Sequence, residues 1–559
     1  MDIRKTILKY ALQNAIRYNG KANSGSIISK VIGEDPSLKT KVKDLMIDIK
    51  ETVKKVNSMK IEKQIEELKK LAPELLETKK EEKKTLKELP NAKEGKVVMR
   101  FAPSPSGPAH IGHAYIGTLN SEYCRMYKGK LILRIEDTNP ENIYPGAYEM
   151  LPDEINWLTK NNIAEVVIQS DRLGIYYDYA EKLIDMGKAY VCTCDPDKFR
   201  EMHTAGIACP CRNLSIKEQQ IRWGKMFGEY KPGEAVLRIK TDIKHKNPAM
   251  RDWPAMRIND HIHPRKGTEA RVWPLMNFAV AIDDHDMGVT HSIRGKDHMD
   301  NEKRQKYIFD YFGWKMPESL FAGRINFTDL EISASKTRRK IEEGEFTGWD
   351  DIRLPFFAAL RRRGYQPEAF IKYALDVGVS QTDKTISSED YFKAINHFNK
   401  EVIEPKAHRY FFIKDPVKIR IENAPNMEFE LDLHPENKKG GRKFKTNDEF
   451  YIEKEDFNSL KEGKLNRLMD CLNFLKKGKK FVFDSTDYSK FKEKGDKIIH
   501  WLPASKDVIN ISILMPDHKK IKGIAESSAK KIKVNDIVQF ERFGFCRCDK
   551  ENEFWFTHK

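Results

Sequence analysis

The chain has 559 residues, 33% of them charged, and at roughly 100 to 200 residues per domain this length predicts three to five domains. Its 29 Phe, 20 Tyr and 8 Trp within a 40% share of AVILMFWYC residues can build several cores, which excludes a small binding module, global disorder and fibrous classes. Lys plus Arg (100) exceed Asp plus Glu (84) by 16, a balance that favours a polyanionic partner, with a general lysine bias as the alternative.

The start, MDIRKTILKYALQNAIRYNG, breaks its hydrophobic positions with charge. No run of about 18 apolar residues follows, so a cytoplasmic, non-membrane protein is expected. Residues 1–95 form an appendage with apolar positions at helical spacing, Leu45, Ile47, Ile49 and Val53, then Ile61, Ile65, Leu68 and Leu71. The run KKEEKK at 79–84 reads as a solvated face or linker. From Lys96 a strand VVMRF, a loop APSPSGPA, a helix starting near His110 and a second strand LILRIED open a parallel α/β sheet. With helices over 145–160 and 174–187 and a strand VVIQS between them, residues 96–190 form the first half of this sheet. Residues 191–270 break the pattern with cysteines, prolines and an isolated strand AVLRIK, and read as an inserted domain. Strand-like character returns over 278–295 and completes the sheet within 271–345. Residues 346–404 are helical, and 405–559 fall into short β-rich runs suited to one or two β-barrels.

Arg100-Phe-Ala-Pro-Ser-Pro-Ser-Gly-Pro-Ala-His110-Ile-Gly-His113 lies between a strand and a helix. In an open α/β sheet this is the ligand-binding edge, where a helix N-terminus offers N–H groups to phosphate. Gly107 and Gly112 permit close backbone approach, and His110 and His113 share one face of the first turn, able to donate to charge growing on a phosphate. An isolated H-x-x-H reads equally as a packed helix start. The full string, followed by LILRIEDTNP, resembles the HIGH signature of class I aminoacyl-tRNA synthetases, in the glutamyl/glutaminyl branch. No Walker A sequence competes for the nucleotide.

Downstream, Glu331-Ile-Ser-Ala-Ser-Lys336-Thr-Arg-Arg-Lys340 lies on a polar loop that can close over a triphosphate. Ser333 to Thr337 is similar to the family's KMSKS loop, with Lys336 matching the second lysine and Ser333 and Ala334 departing from the first lysine and the methionine. The continuation, KIEEGEFTGWDDIRLPFFAALRRRGYQPEA, is similar to archaeal-type glutamyl enzymes.

The resemblance implies a Rossmann-type catalytic domain with an inserted acceptor-binding domain, an N-terminal helical domain and C-terminal anticodon-binding β-barrels. It implies ATP-dependent ligation of glutamate to tRNA(Glu), with Mg²⁺ accompanying ATP. It implies His110, His113 and Lys336 as catalytic residues, and Pro103, Ser104, Gly107, Gly112 and Ser335 with them around ATP. Arg100, Ala102, Ser104, Glu136 and Arg294 are implied around glutamate. A side-chain carboxylate calls for a guanidinium, for which Arg100 and Arg294 are the candidates. By resemblance Arg100 reads the γ-carboxylate and Glu136 lines the amino-acid site, while Met276 stands where relatives place a tyrosine.

Cys192, Cys194, Cys209 and Cys211 can close a tetrahedral zinc site, or stand as four thiols without metal. Lysine clusters at 477–481, 519–523 and 530–533 among aromatic β-rich runs suit tRNA, with a solvated surface as the alternative. Three questions stay open: whether tRNA(Gln) is a second acceptor feeding a downstream amidotransferase, whether glutamine is the substrate, and whether the chain is a non-catalytic tRNA- or synthetase-binding scaffold.

Overall fold

The computed structural model describes residues 3–17, 20–35, 38, 42–75 and 86–559. They fall into two units, 1–85 and 86–559.

The first unit holds helices α1 (Ile3–Arg17), α2 (Ser24–Glu34), α3 (Val42–Asn57) and α4 (Ile61–Leu71). Leu45, Ile49 and Val53 recur every fourth residue and so share the face that packs on Ile7, Leu12 and Val31. Ile47 lies about 200° around α3 from Leu45, and at 61% exposure faces solvent instead, as does Ile65 at 40%. Buried Gln64 satisfies its amide N–H groups by donating to the Val56 and Gly20 carbonyls at 2.8 and 3.0 Å, while its Oε1 has no partner among the described residues. The run at 79–84 lies outside the described residues.

In the second unit, β1 (Val98–Phe101), α5 (Ile111–Met126), β2 (Lys130–Ile135), α6 (Ala147–Leu158) and β3 (Ile163–Ile168) form a parallel β1–β2–β3 sheet. Helix α7 (Leu173–Asp185) leads to β4 (Ala189–Cys192), α8 (Pro196–Ala205), α9 (Ile216–Met226), β5 (Val236–Ile239), β6 (Pro254–Ile258) and β7 (Val272–Pro274). These four strands make one antiparallel sheet in chain order, so the AVLRIK strand is not isolated. Its partners went unnoticed because proline punctuates them.

Next come α10 (Met276–Asp286), β8 (His291–Gly295), α11 (Met299–Phe312) and β9 (Glu318–Ala322). Residues 278–286 are thus helix rather than strand. An unbroken apolar run fits a helix buried on every side as well as a strand. Strands β8 and β9 are parallel, and Thr290 couples them to β1: its N–H donates to the Val98 carbonyl and its hydroxyl accepts the Val98 N–H, both at 2.9 Å. The parallel rows therefore run β3–β2–β1–β8–β9, with the site at the β1/β8 junction. Strand β10 (Ile325–Phe327), α12 (Ala334–Glu342), α13 (Phe357–Arg363), α14 (Pro367–Val377), β11 (Lys384–Ile386) and α15 (Ser388–Ile403) follow.

Beyond these lie two seven-stranded, mixed sheets. The chain gives strands His408–Tyr410 and Phe412–Lys414 to the first, crosses at Pro416 into the second, and leaves it after Pro503. It then returns to complete the first with residues 509–558. Cys546 and Cys548 alternate inward on strand Gly544–Lys550, as expected of strand residues.

Candidate active site

Strand β1 ends at Phe101, the loop holding Ala102, Pro103 and Ser104 turns over the sheet edge, and His110 caps α5. The His110 ring folds back so that Nδ1 accepts the Gly112 N–H at 3.1 Å, while His113 Nδ1 accepts the His110 N–H at 3.2 Å. With both Nδ1 atoms accepting, the proton of each neutral ring sits on Nε2. The rings stack at 3.9 Å and 22°. Burial, and then the neighbouring His113, hold His110 well below the ordinary histidine range; burial brings His113 down to about 4. At neutral pH the turn therefore presents two uncharged N–H donors.

Both glycines serve the protein's own packing. A Cβ on Gly112 would meet the His110 ring at 2.9 Å, and one on Gly107 would meet the Ala334 Cβ at 2.7 Å. Only glycine lets the His110 ring return over its own turn.

Beside His113 opens a cavity of about 200 Å³ lined by Arg100, Ala102, Gly112, Glu136, Met276, Val280, Arg294, His298 and Gln305. Its charges are unequally partnered. Arg100 reaches both Asp284 oxygens at 3.3 Å, and Arg134, beneath the cavity, takes Asp284 at 2.6 Å and Glu136 at 3.1 Å. Burial alone would raise Asp284, but Arg100, Arg134 and Arg294 outweigh it and hold the carboxyl below its ordinary range. Burial lifts Glu136 above its ordinary value against the pull of Arg134 and Arg100. Among the described residues Arg294, 7% exposed, donates only to Gln305 at 2.9 Å and Ser319 at 3.3 Å, and its buried Nε has no partner. Burial, then repulsion from Arg100, lower it to about 10 against the longer-range pull of Asp284 and Glu302. A desolvated cation that no carboxylate hydrogen-bonds is costly unless an anion joins it.

The Lys336 segment is the first turn of helix α12 rather than a loop. The Ser333 hydroxyl caps it by accepting the Lys336 N–H, and the following residues are good helix formers. Lys336 and Ser335 stay exposed, and the ammonium pairs with Glu331 at 2.5 Å. Gly107 and Ala334 pack together, which joins this turn to the loop after β1.

In the inserted sheet, the Sγ atoms of Cys192, Cys194, Cys209 and Cys211 all lie within 4.8 Å of one another, with Cys192–Cys209 at 3.9 Å and Cys194–Cys211 at 3.6 Å. Tetrahedral zinc with bonds of about 2.3 Å requires edges of about 3.8 Å. The lysine clusters are partly neutralised, Lys480 by Glu422 at 2.8 Å, Lys519 by Asp517 at 2.8 Å and Lys520 by Glu553 at 2.6 Å.

Sequence reading passed over Asp283, Asp284 and Arg134. The available signal was an Asp pair within AVAIDDH, since carboxylates in an apolar helix demand cationic partners. Tyr176, Gln169 and Arg172 take Asp283 at 2.8 to 2.9 Å.

The family model "tRNA synthetases class I (E and Q), catalytic domain" matches residues 96–405. Two anticodon-binding domain models of the same family match 407–492 and 498–549. The glutamate–tRNA ligase of Thermococcus kodakarensis is 46% identical over 98% of this chain and 97% of its own. That of Methanothermobacter thermautotrophicus is 43% identical over the whole of both chains. No helix among the described residues is long and apolar enough to cross a membrane. A HIGH turn at the open end of a parallel sheet, matched across three domain models and along nearly full-length relatives, makes this chain a member of the E and Q class I aminoacyl-tRNA synthetases.

Proposed function

We propose that the chain is a glutamate–tRNA ligase, using MgATP to activate glutamate and transferring it to the 3′ end of tRNA(Glu). The observation that carries this choice is Arg294, a buried guanidinium that hydrogen-bonds Gln305 and Ser319 but no carboxylate, in the cavity that also holds Arg100 and Glu136. A γ-carboxylate would neutralise it, whereas the neutral amide of glutamine would leave its charge uncompensated. Arg294 therefore takes the γ-carboxylate as the uncommitted cation, and Arg100, shared with Asp284, supports it. Glu136 receives the ammonium.

In the first step the α-carboxylate attacks the α-phosphate of ATP and expels pyrophosphate. The tRNA ribose hydroxyl then takes the glutamyl group and releases AMP. His110 and His113 donate from Nε2 to the phosphate oxygens, and their neutrality lets them meet charge as it grows without drawing protons from the medium. Lys336 leaves Glu331 for pyrophosphate, an exchange that costs little because that ion pair is exposed. Positioning carries the reaction, with no protein nucleophile.

Two sulfur spacings of 3.6 and 3.9 Å, within a set that all lie inside 4.8 Å, support zinc on Cys192, Cys194, Cys209 and Cys211. When bound, zinc would supply a cross-link between β4 and the 209–213 turn.

The test is acid-precipitable label from glutamate or glutamine on tRNA(Glu) and tRNA(Gln) transcripts. Glutamate on tRNA(Glu) is expected. Label on tRNA(Gln) too would give the ligase a second acceptor and a downstream tRNA-dependent amidotransferase as partner. Glutamine incorporation alone would reverse the substrate, and no charging would favour a scaffold.

A further inference from the structure

Glu154, on α6, has no part in the reaction as described, yet it is 4% exposed and lies directly beneath the HIGH turn. Its Oε2 accepts the N–H of Ala109, the residue before His110, at 2.6 Å, and the Ala358 N–H in the first turn of α13 also faces its carboxyl. Its Oε1 is buried without a partner. Around it the two segments are knitted together. Ile111 donates to the Pro355 carbonyl at 3.1 Å, Phe357 donates to the Ala109 carbonyl at 3.0 Å, and His110 bridges Phe356. The Phe356 ring packs edge-on against the His110 imidazole at 5.6 Å.

We propose that Glu154 is a positioning residue for the phosphate-binding turn, clamping the Ala109 and Ala358 N–H groups so that His110 and His113 hold their donor geometry toward ATP. This rests on the ligase reading. The carboxyl works in its neutral form, because a buried anion under a turn that receives a triphosphate would repel it. Burial raises it to about 8 against the two N–H groups. The other charged or titratable groups around it are Asp153 on its own helix, Arg361 on α13, paired with Asp153 at 2.9 Å, and the neutral His110 and His113 on α5.

The test is steady-state charging and pyrophosphate exchange in the presence of tRNA(Glu), for the wild type, Glu154→Ala and Glu154→Gln from about pH 7 to about pH 9. Glu154→Ala is expected to lose about 10²-fold in kcat/KM for ATP, the scale of a lost positioning contact, with little change in the glutamate KM. Glu154→Gln keeps an acceptor for Ala109 and stays within about threefold of the wild type at pH 7. The wild-type KM for ATP rises several-fold above pH 8 as the carboxyl ionises, and that of Glu154→Gln stays flat. Glu154→Ala within about twofold of the wild type, or a Glu154→Gln profile that follows the wild-type rise, overturns the proposal. Where Glu154→Ala fails to fold, the Glu154→Gln profile decides alone. A wild type that charges no tRNA overturns the ligase reading and this inference with it, whereas an active wild type with indifferent variants overturns this inference alone.

Discussion

A Cβ placed on Gly107 would stand 2.7 Å from the Cβ of Ala334 and 3.3 Å from the Trp349 ring, so the loop after β1 and the first turn of α12 pack as one surface. Gly107→Ala must push these segments apart, an overpacking cost of about 1 to 3 kcal/mol. Calorimetry should show the lower Tm, and charging kinetics a KM rise for ATP larger than that for glutamate. An unchanged Tm and KM would contradict the packing.

The two cavity arginines should respond in opposite ways. Arg294→Gln removes a buried cation that no carboxylate hydrogen-bonds, so the free enzyme should gain stability or lose none, while the glutamate KM rises by roughly 10²-fold. Arg100→Gln takes one of the cations from Asp284 and should cost about 1 to 3 kcal/mol of stability, lowering the Tm. Thermal melts alongside KM values decide this, and a stability loss at Arg294 equal to that at Arg100 would refute the asymmetry.

Acid should weaken the fold through histidines. Burial holds His113, His500 and His558 to about 4, below an unfolded value of 6.5. The unfolded chain therefore takes up these protons first as pH falls. Their contribution is full above pH 6.5 and is lost toward pH 4, by on the order of 3 kcal/mol each. Melts at stepped pH should show the Tm falling below 6.5. Carboxylates held low, such as Asp284, act in the same direction, so a His500→Gln variant isolates one histidine's share through its shallower decline.

Four sulfurs within 4.8 Å of one another predict about one zinc per chain by elemental analysis after mild purification. Chelation or Cys211→Ser should loosen the inserted domain, read as faster hydrogen exchange over 189–226 with the parallel sheet still protected. Metal-free, fully active enzyme would remove the zinc assignment.

Strand β1, its loop and α5 were legible in the sequence because glycine and proline punctuate a change of period there. The signature histidines and the four cysteines were legible for the same local reason. Helix α10 was not, since its burial on all sides erased the periodicity that separates helix from strand. Ser333 read as part of a loop because a capping hydroxyl and a turn hydroxyl look alike in one dimension. Asp284 and Glu154 stayed hidden for a deeper reason: Asp284 acts on arginines carried by β1 and β2, and Glu154 on N–H groups carried by the loop before α5 and by α13, segments brought together only in the folded chain.

The path of the chain through the two seven-stranded sheets orders their assembly. The second sheet has all its strands by Pro503, whereas the first has only two of seven until residues 509–558 are added. Until then the edges of those two strands have no partners, and Arg362 and Arg363 on α13 lack the Asp549 carboxylate and the Phe556 and Thr557 carbonyls that receive them. A second sheet completed during synthesis would therefore hang from an unfinished one, and contacts of long sequence separation form slowly. The slowest folding event in this unit should be the arrival of its last fifty residues, with the seating of α13 following it.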